Sequence, residues 1–367
     1  MHIFTVSALQ KFATHLYTSD QRWDSIRRIP YSTPGRWVQI LDLSEIMPVH
    51  SADLLSVDSN LARMFPLLPF LRSLYLIPEM PLSNRTLVAL QTKDGISELR
   101  SLRGLKISIP GGHASVQPFV PSPDAVTNLL WHCPRLEQLE IVCTDAVNPE
   151  LESAIDLDLS SLRDEDGAGS IPPPLQLAYL RSLSLSAVPI YPIFLTLLRT
   201  PLPALRHLAV TPYGDQRTPQ LSTLLFVHGC NLISLRINTP RHLPTPTGNP
   251  PLSLVLASCP QLHYLALDHP LPVLTLPAPA QGASPQSHPL RVLTIPRPSA
   301  RFLREVEVLL PRLPALTVVR ARAVRWLRAG ISGKALEAGV QGEMHEWRRR
   351  FARRGVRLVD GEWRDPG

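Results

Sequence analysis

Aliphatic residues recur along this chain in a six-residue phrase whose first, fourth and sixth positions are apolar. The clearest copy runs from Leu136 to Ile141 behind Cys133-Pro134, and similar copies begin at Leu232 and Leu262. Weaker copies, some with substitutions, begin at Val38, Leu71, Leu102, Leu180, Leu205, Leu290 and Leu316. The alternation that ends each phrase predicts a short strand with one buried face.

The segments before these strands have helical periodicity. Before Leu136 and Leu262, apolar residues fall at the spacing of one helix stripe: Val126, Leu129, Leu130 and Cys133 in the first case, Leu252, Val255, Leu256 and Cys259 in the second. Each unit is therefore predicted to contain a helix, a tight turn and a strand. One such unit buries too little apolar surface to offset its conformational entropy, so neighbouring units must stack.

A recurring helix–turn–strand unit of this size predicts a leucine-rich-repeat solenoid. The expected fold class is α/β, with one parallel sheet on the concave side and the helices on the convex side. We expect three regions in the chain: an N-terminal helical segment over 1–35, the solenoid over 36–322, and a basic capping helix and strand over 323–367.

Two terminal segments and the Cys-Pro-x-Leu phrases add a family resemblance. Val6 to Tyr17 resembles the last helix of an F-box, and Gly35 to Ser44 is similar to the strand that follows that module. Together with the ending from Trp347 to Asp360, the repeats resemble fungal, mushroom-type F-box/leucine-rich-repeat proteins. The resemblance implies the substrate-recognition part of an SCF-type E3 ubiquitin ligase receptor, with a protein substrate on the concave face. The Leu-Pro-x-Glu opening and the first two F-box helices are missing, so a ligase adaptor is an expected partner only if an F-box is restored upstream.

Composition and the remaining motifs exclude several other classes of protein. No apolar run approaches the length of a membrane span, and the start lacks a signal-peptide pattern, so we expect a cytoplasmic or nuclear protein without a membrane partner.

Cys133, Cys230 and Cys259 are predicted at one equivalent position, the core-facing end of the repeat helix, and Cys143 follows a strand. No Cys-x-x-Cys pair is present, so we expect reduced thiols, no metal site and no cofactor.

Motifs for catalysis are absent from the sequence. There is no Gly-x-Ser-x-Gly and no His-Glu-x-x-His, and residues 329–335 lack the complete pattern of a phosphate loop. The acidic segment 150–174 lacks the regular frame of an EF-hand, so a solvated insertion is expected, with a partner-contact loop as the alternative. We therefore predict that the chain is not an enzyme.

The C-terminal region is basic. Residues 320–367 contain twelve Lys/Arg and six Asp/Glu, against a net charge of +7 for the whole chain. Residues 348–354 contain five arginines. One interpretation is a solubilised cap on the last repeat. The alternative is nucleic-acid binding through phosphate contacts, although no recognised DNA-binding motif accompanies the arginines.

Strand alternation predicts which side chains face a partner. The residue between the last two apolar slots should point onto the concave face; this row is Asp42, Tyr75, Lys106, Glu140, Ser184, Ala209, Arg236, Ala266, Thr294 and Arg320. The row two residues earlier is Ile40, Ser73, Gly104, Gln138, Ser182, His207, Ser234, Tyr264, Val292 and Val318. Aromatic and charged residues dominate binding hot spots, so the predicted partner-binding residues are Tyr75, Lys106, Glu140, His207, Arg236 and Tyr264. Three functions remain open: a ligase substrate receptor, a stand-alone scaffold, and a nucleic-acid binder.

Overall fold

The chain folds into parallel strands and helices that alternate along the sequence. The computed structural model describes residues 1–21, 34–47, 50–77, 80, 82–107, 123–143, 174–186, 192–211, 219–239, 250–268, 271–272, 274, 287–297, 299–326 and 340–365. These residues form two compact units, Met1–Ala204 and Leu205–Gly367, which are called unit 1 and unit 2.

Unit 1 contains five described strands and five described α-helices. The strands are β1 (Ile40–Asp42), β2 (Ser73–Tyr75), β3 (Ser101–Ile107), β4 (Gln138–Cys143) and β5 (Ser182–Ser186). The helices are α1 (Val6–Gln21), α2 (Ser51–Met64), α3 (Asn84–Gln91), α4 (Pro123–Trp131) and α5 (Pro192–Arg199). Each strand is parallel to the next in chain order.

Unit 2 has the same construction. Its strands are β6 (His207–Thr211), β7 (Ser234–Ile237), β8 (Tyr264–Leu267), β9 (Val292–Ile295), β10 (Val318–Ala321) and β11 (Arg357–Val359). Its helices are α6 (Pro219–His228), α7 (Leu252–Ser258), α8 (Ala300–Leu309) and α9 (Val340–Ala352). Neighbouring strands are again parallel and follow chain order. This is the α/β leucine-rich-repeat architecture that the sequence predicts.

The leucines of the repeated phrase are in register across each sheet. Leu139 of β4 aligns with Leu183 of β5, and Leu235 of β7 aligns with Leu208 and Leu265 of its neighbours. All five are buried. A single carbonyl before each strand often accepts two backbone N–H groups from the next repeat, as the Arg72 carbonyl does at 2.7 and 3.1 Å. Because parallel ladders satisfy the backbone only between repeats, these bonds hold the stack together.

The helices form the second layer, and the core lies between it and the strands. The predicted stripes of α4 and α7, together with Cys133 and Cys259 just beyond them, are buried. Ser83 caps α3 by accepting the Thr86 N–H at 3.2 Å, and Ser299 caps α8 by accepting the Phe302 N–H at the same distance. In unit 1 each described helix contacts the next one, and in unit 2 α6 contacts α7 and α8 contacts α9.

The third repeat begins three residues earlier than the sequence pattern predicted. Leu102 aligns with Leu74, the fourth position of its phrase, so the first position is Leu99. The register then shifts between Leu102 and Leu105, where Gly104 has a φ of +74° and forms a β-bulge. A Cβ at Gly104 would lie 2.5 Å from the Leu76 carbonyl oxygen, so a glycine is required there. The prediction that Gly104 belongs to the concave row is therefore wrong.

One predicted core cysteine is exposed. Cys133 and Cys259 lie three residues before their repeat leucines, and both are buried. At the seventh strand the equivalent residue is Gly229, whose carbonyl accepts the Leu232 N–H, and Cys230 faces outward. A Cβ at Gly229 would lie 2.4 Å from the Ser258 carbonyl oxygen. The prediction for Cys230 is wrong because this repeat places its cysteine one residue later than Cys-Pro-x-Leu does.

The C-terminal segment adds one more helix and strand to unit 2. In α9, Met344, Trp347 and Phe351 are buried, as their helical spacing predicts, and Leu336 lies outside the described residues. Strand β11 pairs with β10, with Leu358 opposite Val319. The acidic segment 150–174 lies almost entirely outside the described residues.

Candidate functional site

Each sheet has one face against the helices and one face turned away from them, here called the open face. In β4 the side chains alternate strictly between half-buried and buried positions, and Gln138, Glu140 and Val142 lie on the open face. A leucine-rich-repeat fold generally serves as a binding module through this face. The predicted partner-binding residues are Tyr75, Lys106 and Glu140 in unit 1 and His207, Arg236 and Tyr264 in unit 2.

On the open face of unit 1, three side chains from adjacent strands contact one another. The Arg103 guanidinium lies 5.5 Å from the centre of the Tyr75 ring. Its Nη2 also donates a hydrogen bond of 2.7 Å to Oε1 of Gln138, which accepts a second bond from the Ser101 hydroxyl at 3.2 Å. Tyr75 was predicted as a contact residue, but Arg103 was not. The sequence contains the missing signal, since Leu99-Arg100-Ser101-Leu102 repeats the letters of Leu71-Arg72-Ser73-Leu74.

The bulge changes the neighbours of Lys106. The residue beside Tyr75 on β3 is Arg103, and Lys106 is opposite Val142, one open-face position further along the strand. Glu140 lies opposite Ser184 of β5. The row that the sequence predicted through Tyr75, Lys106 and Glu140 is therefore broken at β3, although all three residues are half-buried and near the open face.

Asp42 on β1 is held by the N-terminal residues. His2 Nδ1 lies 2.9 Å from one carboxylate oxygen, and the Ser44 N–H and hydroxyl donate to the other at 3.0 and 2.7 Å. Burial alone would raise the pKa of Asp42, but the hydrogen bonds from Ser44 and the nearby His2 outweigh it and lower the pKa below its usual value. These contacts give Asp42 a structural role at the first strand.

On the open face of unit 2, His207, Arg236 and Tyr264 occupy three consecutive strands. His207 and Tyr264 flank Ser234 in one row, and Arg236 lies two residues further along β7. Such diagonal neighbours in a sheet are about 7–8 Å apart, within reach of long side chains. His207 and Arg236 are exposed, Tyr264 is half-buried, and no described residue forms an ion pair or side-chain hydrogen bond with any of the three.

Further along this sheet the open face is covered, contrary to prediction. Ala266 and Thr294 belong to the predicted solvent-facing row, yet both are 0% exposed. Arg322, which follows β10, forms an ion pair with Asp268, which follows β8. The segment that follows β9 lies between them, so the Arg322 side chain must cross that segment. Val318, in the other predicted row, is also buried.

A turn after β11 contributes to this cover. The fully buried Asp360 carboxylate accepts the backbone N–H groups of Glu362, Arg364 and Trp326 at 2.8, 2.9 and 3.2 Å. Burial alone would raise the pKa of Asp360, but these backbone hydrogen bonds outweigh it and lower the pKa below its usual value. The turn places the Trp363 ring 4.6 Å from the Arg320 guanidinium, which also donates to the Gly361 carbonyl.

The basic C-terminal helix uses several of its arginines in ion pairs. Arg350 and Arg354 lie 2.7 and 3.4 Å from the two carboxylate oxygens of Glu307 on α8. Arg348 lies 2.6 Å from Asp365. Three of the five clustered arginines therefore join the helix to its surroundings, which reduces the charge available for phosphate groups.

Three described side chains, Cys133, Cys259 and Lys93, are buried and have strongly shifted pKa values. Burial raises the pKa of the Cys133 and Cys259 thiols to about 12, so both stay protonated at neutral pH. Burial lowers the pKa of Lys93 to about 8, and its ammonium group donates to the Asp94 carbonyl at 3.2 Å. Within the described part of the chain, no three His, Cys, Asp or Glu residues are grouped as metal ligands.

Comparisons with known proteins find similarity only to solved structures. No protein-family model matches the chain, and no curated protein matches it significantly. One solved structure that matches is a crystal structure of the TLR13–ssRNA13 complex, with 12% sequence identity and a TM-score of 0.32. The match covers 82% of this chain and 44% of that chain, so this chain spans less than half of its length. A similarity at this level carries no argument about function.

No described helix is long and apolar enough to cross a membrane. The conclusion that stands is a leucine-rich-repeat fold, an architecture that usually forms non-enzymatic binding scaffolds.

Proposed function

We propose that this chain is a protein-binding module that holds a segment of a partner protein on the open face of its sheet. The observation that supports this most is the grouping of His207, Arg236 and Tyr264 on β6, β7 and β8. These side chains do not hold the described fold together, and residues of these types dominate protein–protein hot spots. In unit 1, Tyr75, Lys106 and Glu140 are secondary candidates, with Arg103 added.

Affinity capture with matched variants tests this proposal. The bait is the purified chain, as wild type, as the double variant Arg236→Ala with Tyr264→Ala, and as Arg304→Ala on the exposed side of α8. We expect proteins from a lysate of the source cells to bind the wild type and the α8 variant but not the double variant, as quantified by mass spectrometry. Identical captured sets for all three baits would contradict binding through the open face.

A more specific role is the substrate-recognition part of an F-box ubiquitin ligase receptor. Its support is the resemblance of Val6 to Tyr17 and of the Cys-Pro-x-Leu phrases to such proteins; a helix, α1, spans the first of these segments. The test is to express the chain with its upstream coding sequence restored and to co-purify it with the ligase adaptor and cullin. Absence of association would leave a stand-alone scaffold as the function.

The basic C-terminus gives a separate test of nucleic-acid binding. Because Arg348, Arg350 and Arg354 are already paired with carboxylates, we expect weak retention on heparin or RNA at physiological salt. Tight retention that falls steeply with salt, and that is lost when the arginines of 348–354 become glutamine, would favour nucleic-acid binding over protein binding.

A further inference from the structure

We propose that the partner segment held by unit 2 is acidic, and that one of its carboxylates binds the Arg236 guanidinium beside the row that contains His207 and Tyr264. These three residues are called the Arg236 patch. The inference rests on the proposed protein-binding function and specifies the chemistry of the partner. It follows from charge, from the size of the neighbouring side chains and from the pairing of the other arginines.

The charge around the Arg236 patch is positive and almost uncompensated. In the described part of the range 205–297 the only acidic side chain is Asp268, and it is paired with Arg322. Arg236 itself is exposed and has no acidic partner among the described residues. A guanidinium carries a planar set of donors that matches a carboxylate, and two parallel N–H···O bonds are the strongest contact it makes with a side chain.

The residues next to Arg236 on the neighbouring strands have small side chains. Ala209 and Ala266 are its direct neighbours on β6 and β8, and Ser234 lies between His207 and Tyr264 in the adjoining row. Neither alanine has a side chain long enough to reach the guanidinium, which is exposed, so a carboxylate can approach it from the open side. The Tyr264 ring and hydroxyl and the His207 ring stand on either side and can contact the residues next to that carboxylate.

The remaining arginines of this face favour a peptide over a nucleic acid. Arg322 is neutralised by Asp268, and Arg320 is occupied by the Gly361 carbonyl and the Trp363 ring. A nucleic-acid strand presents a phosphate at every nucleotide and needs a series of free cations along its path. On the described strands β6 to β10, Arg236 is the one guanidinium without a partner, and with a tyrosine and a histidine nearby it matches a single acidic side chain within a short peptide segment.

Peptide display tests the inference without knowledge of the natural partner. A phage-displayed library of random dodecapeptides is selected on the wild-type chain, on Arg236→Glu, and on the control Arg304→Glu, which makes the same charge change on α8. Circular dichroism confirms that all three are folded. We expect Asp and Glu to be enriched in peptides from the wild type and the control, and not in those from Arg236→Glu.

A selected peptide is then measured by fluorescence anisotropy. Replacing its acidic residues with glutamine, or Arg236 with glutamine, should each weaken binding about tenfold, as expected for a charge-assisted contact. Combining both changes should weaken it little further. A peptide with lysine at the critical position should bind Arg236→Glu better than it binds the wild type.

The outcomes separate this inference from the function on which it rests. Peptides that depend on Tyr264 but show no acidic enrichment would overturn the acidic partner and leave protein binding intact. Failure to select any peptide that depends on Arg236 or Tyr264 would overturn both. A fluorescent single-stranded RNA oligonucleotide serves as a parallel probe, and binding of it that Arg236→Glu abolishes would replace the peptide with a nucleic acid.

Discussion

Arg103 in unit 1 and Arg236 in unit 2 occupy the same position of the repeat but have opposite surroundings. Arg103 lies beside Tyr75 and bonds to Gln138, so its guanidinium is used within the sheet. Arg236 lies between Ala209 and Ala266, and no described residue bonds to its guanidinium. The size of the neighbouring side chains decides whether an arginine of this row holds strands together or remains available to a partner.

The two open faces also differ in how far they are covered. In unit 1 every open-face residue of β4 and β5 is at least partly exposed. In unit 2, Ala266 and Thr294 are 0% exposed, Arg322 pairs with Asp268 beyond the ends of β8 and β10, and the turn at Asp360 places Trp363 beside Arg320. The accessible part of the unit 2 face is therefore concentrated on β6 and β7 and on the first residues of β8 and β9, Tyr264 and Val292.

Replacing a core leucine should have the largest effect on stability. Leu265→Asp in β8 would bury an unpaired carboxylate between the sheet and the helices, and we expect a loss of about 4 kcal/mol in the free energy of unfolding. Urea denaturation measures it. A loss no larger than that of Arg236→Ala would show that the assignment of core and open faces is wrong.

The turn of unit 2 should be the next most sensitive feature. Asp360→Asn removes a buried charge that accepts three backbone N–H groups, and we expect a loss of about 3 kcal/mol. Thermal melting followed by circular dichroism measures this loss. The control is Asp365→Asn, whose carboxylate forms one partly exposed ion pair and should change stability by less than about 1 kcal/mol.

The bulge of unit 1 can be tested with two glycines of similar backbone conformation. Gly104 and Gly355 have φ angles of +74° and +78°. Alanine at Gly355 meets nothing within 4 Å and should cost about 1 kcal/mol from the backbone alone. Alanine at Gly104 also meets the Leu76 carbonyl oxygen and should cost about 2 kcal/mol or more. Equal losses in urea denaturation would argue against the close strand approach at the bulge.

Acid should destabilise both units through one carboxylate in each. Asp42 and Asp360 both have pKa values below the usual aspartate value in the folded chain. Each therefore contributes stability that is fully present above the unfolded pKa of about 4 and is lost as the pH falls through the lower folded pKa. Urea denaturation at pH 7, 5, 4 and 3 should show a loss of stability only below about pH 4. Asp42→Asn and Asp360→Asn should each flatten this profile, and unchanged profiles would contradict the assigned hydrogen bonds.

The smallest expected effects distinguish the two arginines directly. Arg103→Ala loses a cation–π contact and a hydrogen bond on the open face and should cost about 0.5–1 kcal/mol. Arg236→Ala loses no described contact and should remain within about 0.5 kcal/mol of the wild type. Paired urea denaturation curves measure the difference, and a larger loss for Arg236→Ala would overturn the view that its guanidinium is free.

Most of the fold could be predicted because its signal is local. The spacing of leucines within each phrase and of apolar residues in α4 and α7 depends on strand and helix periods, which each segment expresses in its own sequence. The phrases predicted to begin at Leu71, Leu136 and Leu262 are confirmed, because the strand registers align their fourth positions with leucines of the neighbouring strands. The grouping of His207, Arg236 and Tyr264 follows from the same alternation.

The departures arise where contacts between distant residues decide the outcome. The start of the third repeat was predicted three residues too late, because the bulge at Gly104 is defined by pairing with β4. Cys230 was predicted to be buried, but the position that packs against the next repeat is Gly229. The ion pair between Arg322 and Asp268 joins residues that are 54 positions apart in the chain. Hydrophobic periodicity by itself thus determined which segments form strands and which of their faces is buried. Only the tertiary structure decided which side chains of the other face are covered, because that depends on which chain segments meet above it.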